Sequence, residues 1–288
     1  MIIMDLNQVM IANLMVQLGN HTNVELQEGL LRHMILNSIR LNKRKFQEYG
    51  ELVIACDDKN FWRKKIFPYY KAARKKQRNE SELDWSRLFE MLNKIRDELK
   101  EFFPYVVLQV ESAEADDIIA SLCKKNGVEL MNGGTEKILI LSGDKDFVQL
   151  QKYANVDQYN PVLKKWVRNK DPHKFIKEHI IKGDRSDGIP NIASSDDTFV
   201  SGKRQKPIRQ TKINMLLQQP LDEWPSEWQR NWHRNKQLVD LNEVPEEIDQ
   251  CVMDSWEQQT KKPADRSKLF NYFVSRQLKG LMENINEF

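Results

Sequence analysis

The chain has 288 residues, 40% apolar and 30% charged, with a formal net charge of +3. That mixture supports one large domain, or a core domain with a smaller companion, and excludes disordered, collagen-like and coiled-coil classes. No run approaches the about 18 consecutive apolar residues of a membrane span, and Met1-Ile2-Ile3-Met4-Asp5 lacks the basic start of a signal peptide, so no membrane association is expected.

Taken in chain order, the first half reads as α/β. Short apolar runs at residues 1–6, 52–56, 105–110 and 138–141 are too continuously apolar to alternate, as strands of a buried parallel sheet are. Helical patterns fill the gaps. Residues 25–46 carry Leu26, Leu30, Met34, Leu36, Ile39 and Leu41. Ser81-Glu82-Leu83-Asp84 is like a capping box, opening a helix to about residue 103 with Trp85, Leu88, Leu92, Ile95 and Leu99 as its buried stripe. Ser112 is expected to cap a helix through residue 125, closed by Gly127. Strands joined by crossover helices imply a mostly parallel central sheet flanked by helices.

Residues 156–159 and 165–167 read as a hairpin. Asp171-Pro172 then supplies an N-cap and a proline at the first helical position, for a helix over 173–182 closed by Gly183. Beyond it only helical patterns and polar loops occur. Residues 194–206 are poor in apolar anchors and expected to be loose. The boundary near Lys182 divides an α/β core, 1–182, from a helical C-terminal region, 183–288. Trp224, Trp228 and Trp232 recur at helical spacing, which favours a packing stripe over a base-stacking platform. Cys56, Cys123 and Cys251 are scattered, so reduced thiols and a cytoplasmic setting are expected.

Chemistry concentrates at the strand ends. Asp5, Asp57 and the pair Asp144 and Asp146 each follow a different apolar run. In an open parallel sheet the carboxyl ends of the strands line the functional crevice. Glu114, Asp116 and Asp117 open the helix after a further strand, on the same side. Clustered carboxylates repel and raise one another's pKa. Hard divalent cations resolve that conflict, so Mg²⁺ or Mn²⁺ is expected among them. Asp184 and Asp187, in Gly183-Asp184-Arg185-Ser186-Asp187-Gly188, form a weaker acidic turn.

Positive charge is equally localised. Residues 59–78 hold nine basic side chains and no acidic one, which leaves −6 for the rest of a +3 chain. Chain continuity from Asp57 places this segment near the carboxylate edge. Pro68 is expected to restart a helix that puts Tyr70 and Arg74 on one face with Lys71 adjacent. Basic groups interleaved with aromatics suit phosphate contact plus base stacking, which marks Arg63, Tyr70, Lys71, Arg74, Lys75 and Lys76 as candidates for binding nucleic acid. A second basic cluster, Lys203, Arg204, Lys206, Arg209 and Lys212, is left open between duplex contact and a solvated face.

These residues, with Arg32-His33-Met34-Ile35-Leu36-Asn37-Ser38-Ile39, Ser142-Gly143-Asp144-Lys145-Asp146-Phe147, Lys164-Lys165-Trp166-Val167 and Ile285-Asn286-Glu287-Phe288, resemble the 5′-nuclease (flap endonuclease) superfamily over nearly the full length, its phage ribonuclease H branch in particular. The resemblance implies a PIN-like nuclease core and two Mg²⁺ ions, with Mn²⁺ able to substitute. Asp5, Asp57, Glu114, Asp116 and Asp144 would surround the first ion, and Asp146, Asp184 and Asp187 the second. Asp116, Lys71 and Arg74 would be catalytic. Tyr70, Lys71 and Arg74 would stack and steer the terminal nucleotide from an arch over 59–103, and a helix-turn-helix-like motif after Gly183 would grip duplex.

The implied activity is a 5′→3′ exonuclease and flap endonuclease on RNA·DNA hybrid, duplex DNA and 5′-flap DNA, removing RNA primers in phage lagging-strand replication. It would act as a monomer in the host cytoplasm, with a single-stranded-DNA-binding protein and a sliding clamp as partners. Relatives often carry a glycine-rich hairpin where Ile189-Pro190-Asn191-Ile192 here gives way to Ala193-Ser194-Ser195-Asp196, which leaves a K⁺ ion in that motif open. The alternatives are a PIN-type endoribonuclease, usually shorter and without a long basic arch, and an inactive structure-specific DNA-binding protein.

Overall fold

The computed structural model describes residues 1–18, 27–81, 83–131, 134, 136–260 and 265–288, with side chains at 13, 16–18, 75–77 and 128–131 outside that description. Strands β1 (Ile2–Asp5), β2 (Leu52–Ala55), β3 (Val106–Leu108), β4 (Ile138–Leu141), β5 (Val156–Asn160) and β6 (Lys165–Val167) form one sheet, in the order β3-β2-β1-β4-β5-β6. Neighbours from β3 through β5 pair in parallel, and β6 closes the edge as the antiparallel arm of a hairpin. Strands β1–β4 fall where the apolar runs place them, and β5 and β6 form the expected hairpin.

The helices are α1 (Leu6–Leu18), α2 (Glu28–Lys45), α3 (Trp62–Ile66), α4 (Ala72–Asn79), α5 (Trp85–Phe102), α6 (Ala115–Met131), α7 (Pro172–Lys182), α8 (Gln210–Leu216), α9 (Ser226–Val239), α10 (Glu246–Thr260), α11 (Arg266–Ser275) and α12 (Lys279–Met282). The two-residue period of the strands sends alternate side chains into two separate cores. Ile2, Met4, Leu52, Ile54, Leu139 and Leu141 face α1, α2, α5, α11 and α12. Ile3, Val53, Ala55, Ile138 and Ile140 face α6 and α10. The sheet is thus apolar on both faces because both are covered.

Several elements depart from expectation. Ser112 caps nothing. Its φ of 64° is left-handed rather than the extended backbone of an N-cap, and α6 starts three residues later, where Asp57 accepts the Ala115 N–H. Gly127 lies inside α6, where a Cβ would meet the Tyr153 ring at 2.4 Å, so glycine is there for close approach rather than termination. Leu30 and Leu41 of α2 are exposed, and its buried face runs through Leu31, Ile35, Leu36 and Ile39. Leu26 and Glu82 lie outside the described residues, while Asp84 caps α5 by accepting the Arg87 N–H.

The basic segment also folds differently. Pro68 starts no helix. Residues 67–71 are a turn between α3 and α4, with Lys71 held at φ 55°. α5 buries Leu88, Leu92, Ile95 and Leu99 in the first core, so only the stretch before Trp85 is mainly exposed.

The chain after Gly183 does not pack by itself. Ile248 and Val252 of α10 join one core; Leu269, Tyr272 and Phe273 of α11, with Phe288, join the other. The stretch 194–206 is tied down: Asn191 Nδ2 donates to the Lys206 carbonyl at 2.7 Å, and Arg230 and Arg234 both bind Asp196. Trp224 precedes α9 and is buried, with Trp228 and Trp232 packed against the same cluster, which is a packing stripe. No helix among the described residues is long and apolar enough to cross a membrane.

Candidate active site

The parallel register fixes where the carboxylates emerge. Asp5 is the last residue of β1, level with Ala55, and Met4 is level with Leu141. Asp57 and Asp144 therefore leave neighbouring strands a few residues beyond, on the same edge. Asp5 is 5% exposed; its carboxylate accepts the Gln8 N–H at 3.0 Å and the Ser142 hydroxyl at 3.4 Å. Asp57 accepts from Asn7 Nδ2 at 3.0 Å and from the Ala115 N–H at 2.8 Å, so it both faces the edge and caps α6. Asp116 follows in the first turn of that helix. Asp144 opens a 3₁₀ turn by accepting the Asp146 N–H at 2.9 Å.

Charge confirms the convergence. Burial pushes the Asp5 carboxyl up to about 8, reinforced by Asp57 and, after the opposing Gln8 N–H, by Asp144. Burial also raises Asp116 well above the carboxylate range, with Asp144 and Asp5 adding to it. Asp144 rises for the same reason, with Asp146 pressing on it. Three groups with enhanced proton affinity at one edge are what a divalent cation would replace protons on.

A second group lies beside the first. His179 of α7, Asp146 and Asp184 bring one ligand atom each within 4.8 Å of one another. Gly183 makes this possible. It ends α7 at φ 65°, and a Cβ there would lie 2.3 Å from the Ile189 carbonyl, closer than any side chain tolerates. The chain then turns sharply, and Asp184 and Ile189 exchange backbone hydrogen bonds at 2.8 and 2.7 Å. Burial alone would raise Asp184, but Lys145 at 2.7 Å, Ser186 and His179 outweigh it and hold it down at about 2. His179 Nε2 and Asp146 Oδ1 are buried and lack a hydrogen-bond partner, although only 3.1 Å apart. Two unpaired atoms with lone pairs to offer fit a cation between them.

The basic segment reaches the same place. Lys71 pairs with Glu114 and lies 3.6 Å from Asp187; Arg74 pairs with Asp187. The Lys71 N–H donates to the Asp187 carbonyl at 2.7 Å, and Tyr70 Oη reaches Glu114 Oε2 at 2.9 Å and Asp187 Oδ2 at 3.1 Å. Glu114 is thus saturated. Burial would raise its pKa, but Lys71 and Arg63 together lower it.

Of the residues singled out from sequence, Asp5, Asp57, Asp116 and Asp144 share one edge, where Asp57 and Asp144 repel Asp5 and Asp5 and Asp144 repel Asp116, and Asp146 and Asp184 bring their ligand atoms together with His179. Glu114 and Asp187 are held by the basic segment rather than left free. Two expectations are corrected. Arg63 is 2% exposed and spends its guanidinium on Glu114, Asp117 and the Leu238 carbonyl, so it offers nothing to a phosphate. The Tyr70 ring is also 2% exposed, packed with Phe67, Ile189, Leu238 and Val239, and leaves no face for a base to stack on; it precedes α4, so it shares no helical face with Arg74. The side chains of Lys75 and Lys76 lie outside the described residues. Asp117 turns inward to Arg63 and Trp62. His179, Asn7 and Lys145 were not foreseen; the one sequence signal for His179 is its place one turn before Gly183-Asp184, on the helix that delivers Asp184.

Comparison with known proteins agrees with this architecture. Residues 9–180 match the family described as 5′-3′ exonuclease, N-terminal resolvase-like domain, and residues 172–288 match T4 RNase H, C terminal. The chain is 34% identical to the ribonuclease H of Enterobacteria phage T4, across 99% of this chain and 95% of that protein. It is 26% identical to a 5′-3′ exonuclease of Buchnera aphidicola over 60% of its length and 58% of the relative's. Among solved structures, a bacteriophage T5 flap endonuclease in a complex with DNA and metal ions superposes with a TM-score of 0.61, covering 90% of this chain and 99% of that one at 17% identity, a likeness of fold. A T5 5′-exonuclease with bound zinc superposes at 0.59, with the same coverage and identity. The chain belongs to the 5′-3′ exonuclease family of nucleases, in the form that carries a C-terminal domain of the T4 ribonuclease H type.

Proposed function

We propose that this protein is a Mg²⁺-dependent 5′→3′ exonuclease and flap endonuclease that hydrolyses phosphodiesters in RNA·DNA hybrid, duplex DNA and 5′-flap DNA, and removes RNA primers during lagging-strand replication. The observation that carries the reading is the meeting of Asp5, Asp57, Asp116 and Asp144, from four separate stretches of chain, at one sheet edge where burial favours the protonated forms of Asp5, Asp116 and Asp144.

In this reading Asp5, Asp57, Asp116 and Asp144 hold one ion with Glu114 behind them, and Asp146 and Asp184 hold a second with Asp187 nearby. Two bound Mg²⁺ ions supply charge neutralisation on the phosphate and a water acidic enough to attack at neutral pH. The protein's own groups do the rest. Asn7 and the Ala115 N–H fix the Asp57 carboxylate. Lys71 and Arg74 sit beside the acidic edge, where they can bind the non-bridging phosphate oxygens and offset charge that grows in the transition state. Arg63 supports Glu114 from beneath. Cleavage would leave 5′-phosphate and 3′-hydroxyl ends.

A 5′-labelled flap and a 5′-labelled RNA·DNA hybrid, incubated with Mg²⁺ and with EDTA, test the reading. Labelled short products in Mg²⁺ alone support it, and their absence from both substrates refutes it.

A further inference from the structure

We propose that His179 is itself a metal ligand: its Nε2, with Asp146 and Asp184, completes a mixed nitrogen–oxygen position for a divalent cation, which sets the second ion's site apart from the all-carboxylate first.

Four observations carry this. His179 is 7% exposed, so a structural role would require its ring nitrogens to find partners. Nε2 finds none, and the atom facing it, Asp146 Oδ1, is a buried oxygen that is likewise unmatched. Nε2 lies 3.1 Å from that oxygen and 3.4 Å from Asp184 Oδ2, so one nitrogen and two oxygens from three elements point into a common space. The ring is fixed in that direction. Phe175, one turn earlier on α7, stacks on it at 5.7 Å between centroids and 25° between planes. The positive-φ Gly183 then returns the chain so that Asp184 meets the same space. Lys145 reaches Asp184 Oδ2 from an exposed side chain, and supplies a cation to the same oxygen that the ion would engage.

Donor chemistry gives the consequence. Imidazole suits Fe²⁺, Ni²⁺ and Zn²⁺, whereas carboxylate and water suit Mg²⁺ and Mn²⁺. The Asp146–His179–Asp184 position should therefore prefer Zn²⁺ to Mg²⁺ more strongly than the four-aspartate position does. His179 would then set which ion the second position takes. The inference rests on the two-ion reading above, so its test must fail separately from that reading.

Mn²⁺ titrated into the full-length protein, with binding counted by calorimetry and the loaded sample examined by pulsed electron paramagnetic resonance, meets that need. The expected result is two bound ions and ¹⁴N coupling of the strength of a directly bound imidazole. His179→Gln and His179→Asn should lose the coupling and bind the second Mn²⁺ on the order of tenfold or more weakly. His173→Gln and His233→Gln should retain both. Unfolding midpoints in EDTA identify which of the two His179 variants folds normally, and that variant is the one read. Two bound ions without ¹⁴N coupling, or coupling that survives in the folded His179 variant, overturn the inference and leave the two-ion reading standing. A single ion coupled to no nitrogen removes both.

Discussion

At the scale of residues, the site is a set of charges that the fold forces together. Asp116 shows the cost, because its ionised form is opposed by burial and by Asp144 and Asp5. Asp116→Asn removes that repulsion. It is expected to abolish cleavage in Mg²⁺ while raising the thermal midpoint of the protein in EDTA; retained turnover would refute its place at the site, and a lowered midpoint would refute the repulsion. The pH dependence has the same origin. Asp5 keeps its proton to about pH 8 in the folded protein, against about 3.9 in an unfolded chain. The folded state therefore binds protons that the unfolded state has released, so this contribution is complete below about pH 4 and is lost as pH rises toward 8. Thermal midpoints in EDTA should fall between about pH 5 and pH 8. Added Mg²⁺ should recover more stability at pH 8 than at pH 5, since protons and metal compete for the same oxygens. Equal gains at both pH values would contradict this.

Arg63 makes the opposite case. It lies in a basic run and reads as a phosphate contact from sequence, yet it neutralises two buried carboxylates, Glu114 and Asp117. Removing one partner of a buried pair leaves charge uncompensated, at a cost of about 3–5 kcal/mol. Arg63→Ala should show that loss in denaturant unfolding; an unchanged midpoint with weakened DNA binding would restore the surface role.

At the scale of elements, most of the pattern was legible because strand ends and helix starts have local causes. Continuous apolar runs place β1–β4, and Asp171-Pro172 with Gly183 delimits α7 correctly. What escaped depended on contacts between distant elements. Ser112 looks like an N-cap, but its backbone is left-handed and Asp57, from a distant strand end, caps α6 instead; Gly127 looks like a helix end until the Tyr153 ring is packed against it. His179 could not be singled out from sequence, since Asp146 arrives from the other side of a strand crossover. In sequence Tyr70 and Arg74 read as one helical face, but a turn at Lys71 lies between them, and they meet instead at Asp187. Gly183 gives an element-scale prediction. Gly183→Ala must strain a φ of 65° and push against the Ile189 carbonyl, so it should cost about 1–3 kcal/mol. It should also weaken Mn²⁺ binding at the Asp146–Asp184 position more than at the four-aspartate position. Normal stability and normal binding would show that the turn does not build that position.

At the scale of the molecule, the parallel sheet brings aspartates distant in sequence to one edge, and the cores on its two faces fix that edge. Those cores draw on both ends of the chain: Val252 packs with Ile3 and Ile140 in one, and Phe273 with Leu99 and Phe103 in the other. The change of texture near Lys182 is real in sequence, but packing runs across it. A chain ending at Lys182 would uncover both cores and is expected to lose its cooperative thermal transition, whereas a sharp transition in that fragment would show the first 182 residues to be self-sufficient.

The central claim is that these carboxylates exist to be shared with divalent cations. Anomalous diffraction from a crystal of the protein soaked in Mn²⁺ tests it most directly. One peak is expected among Asp5, Asp57, Asp116 and Asp144 and another between Asp146 and Asp184, with His179 against the second. Carboxylates found dispersed, or gathered with no peak among them, would contradict it.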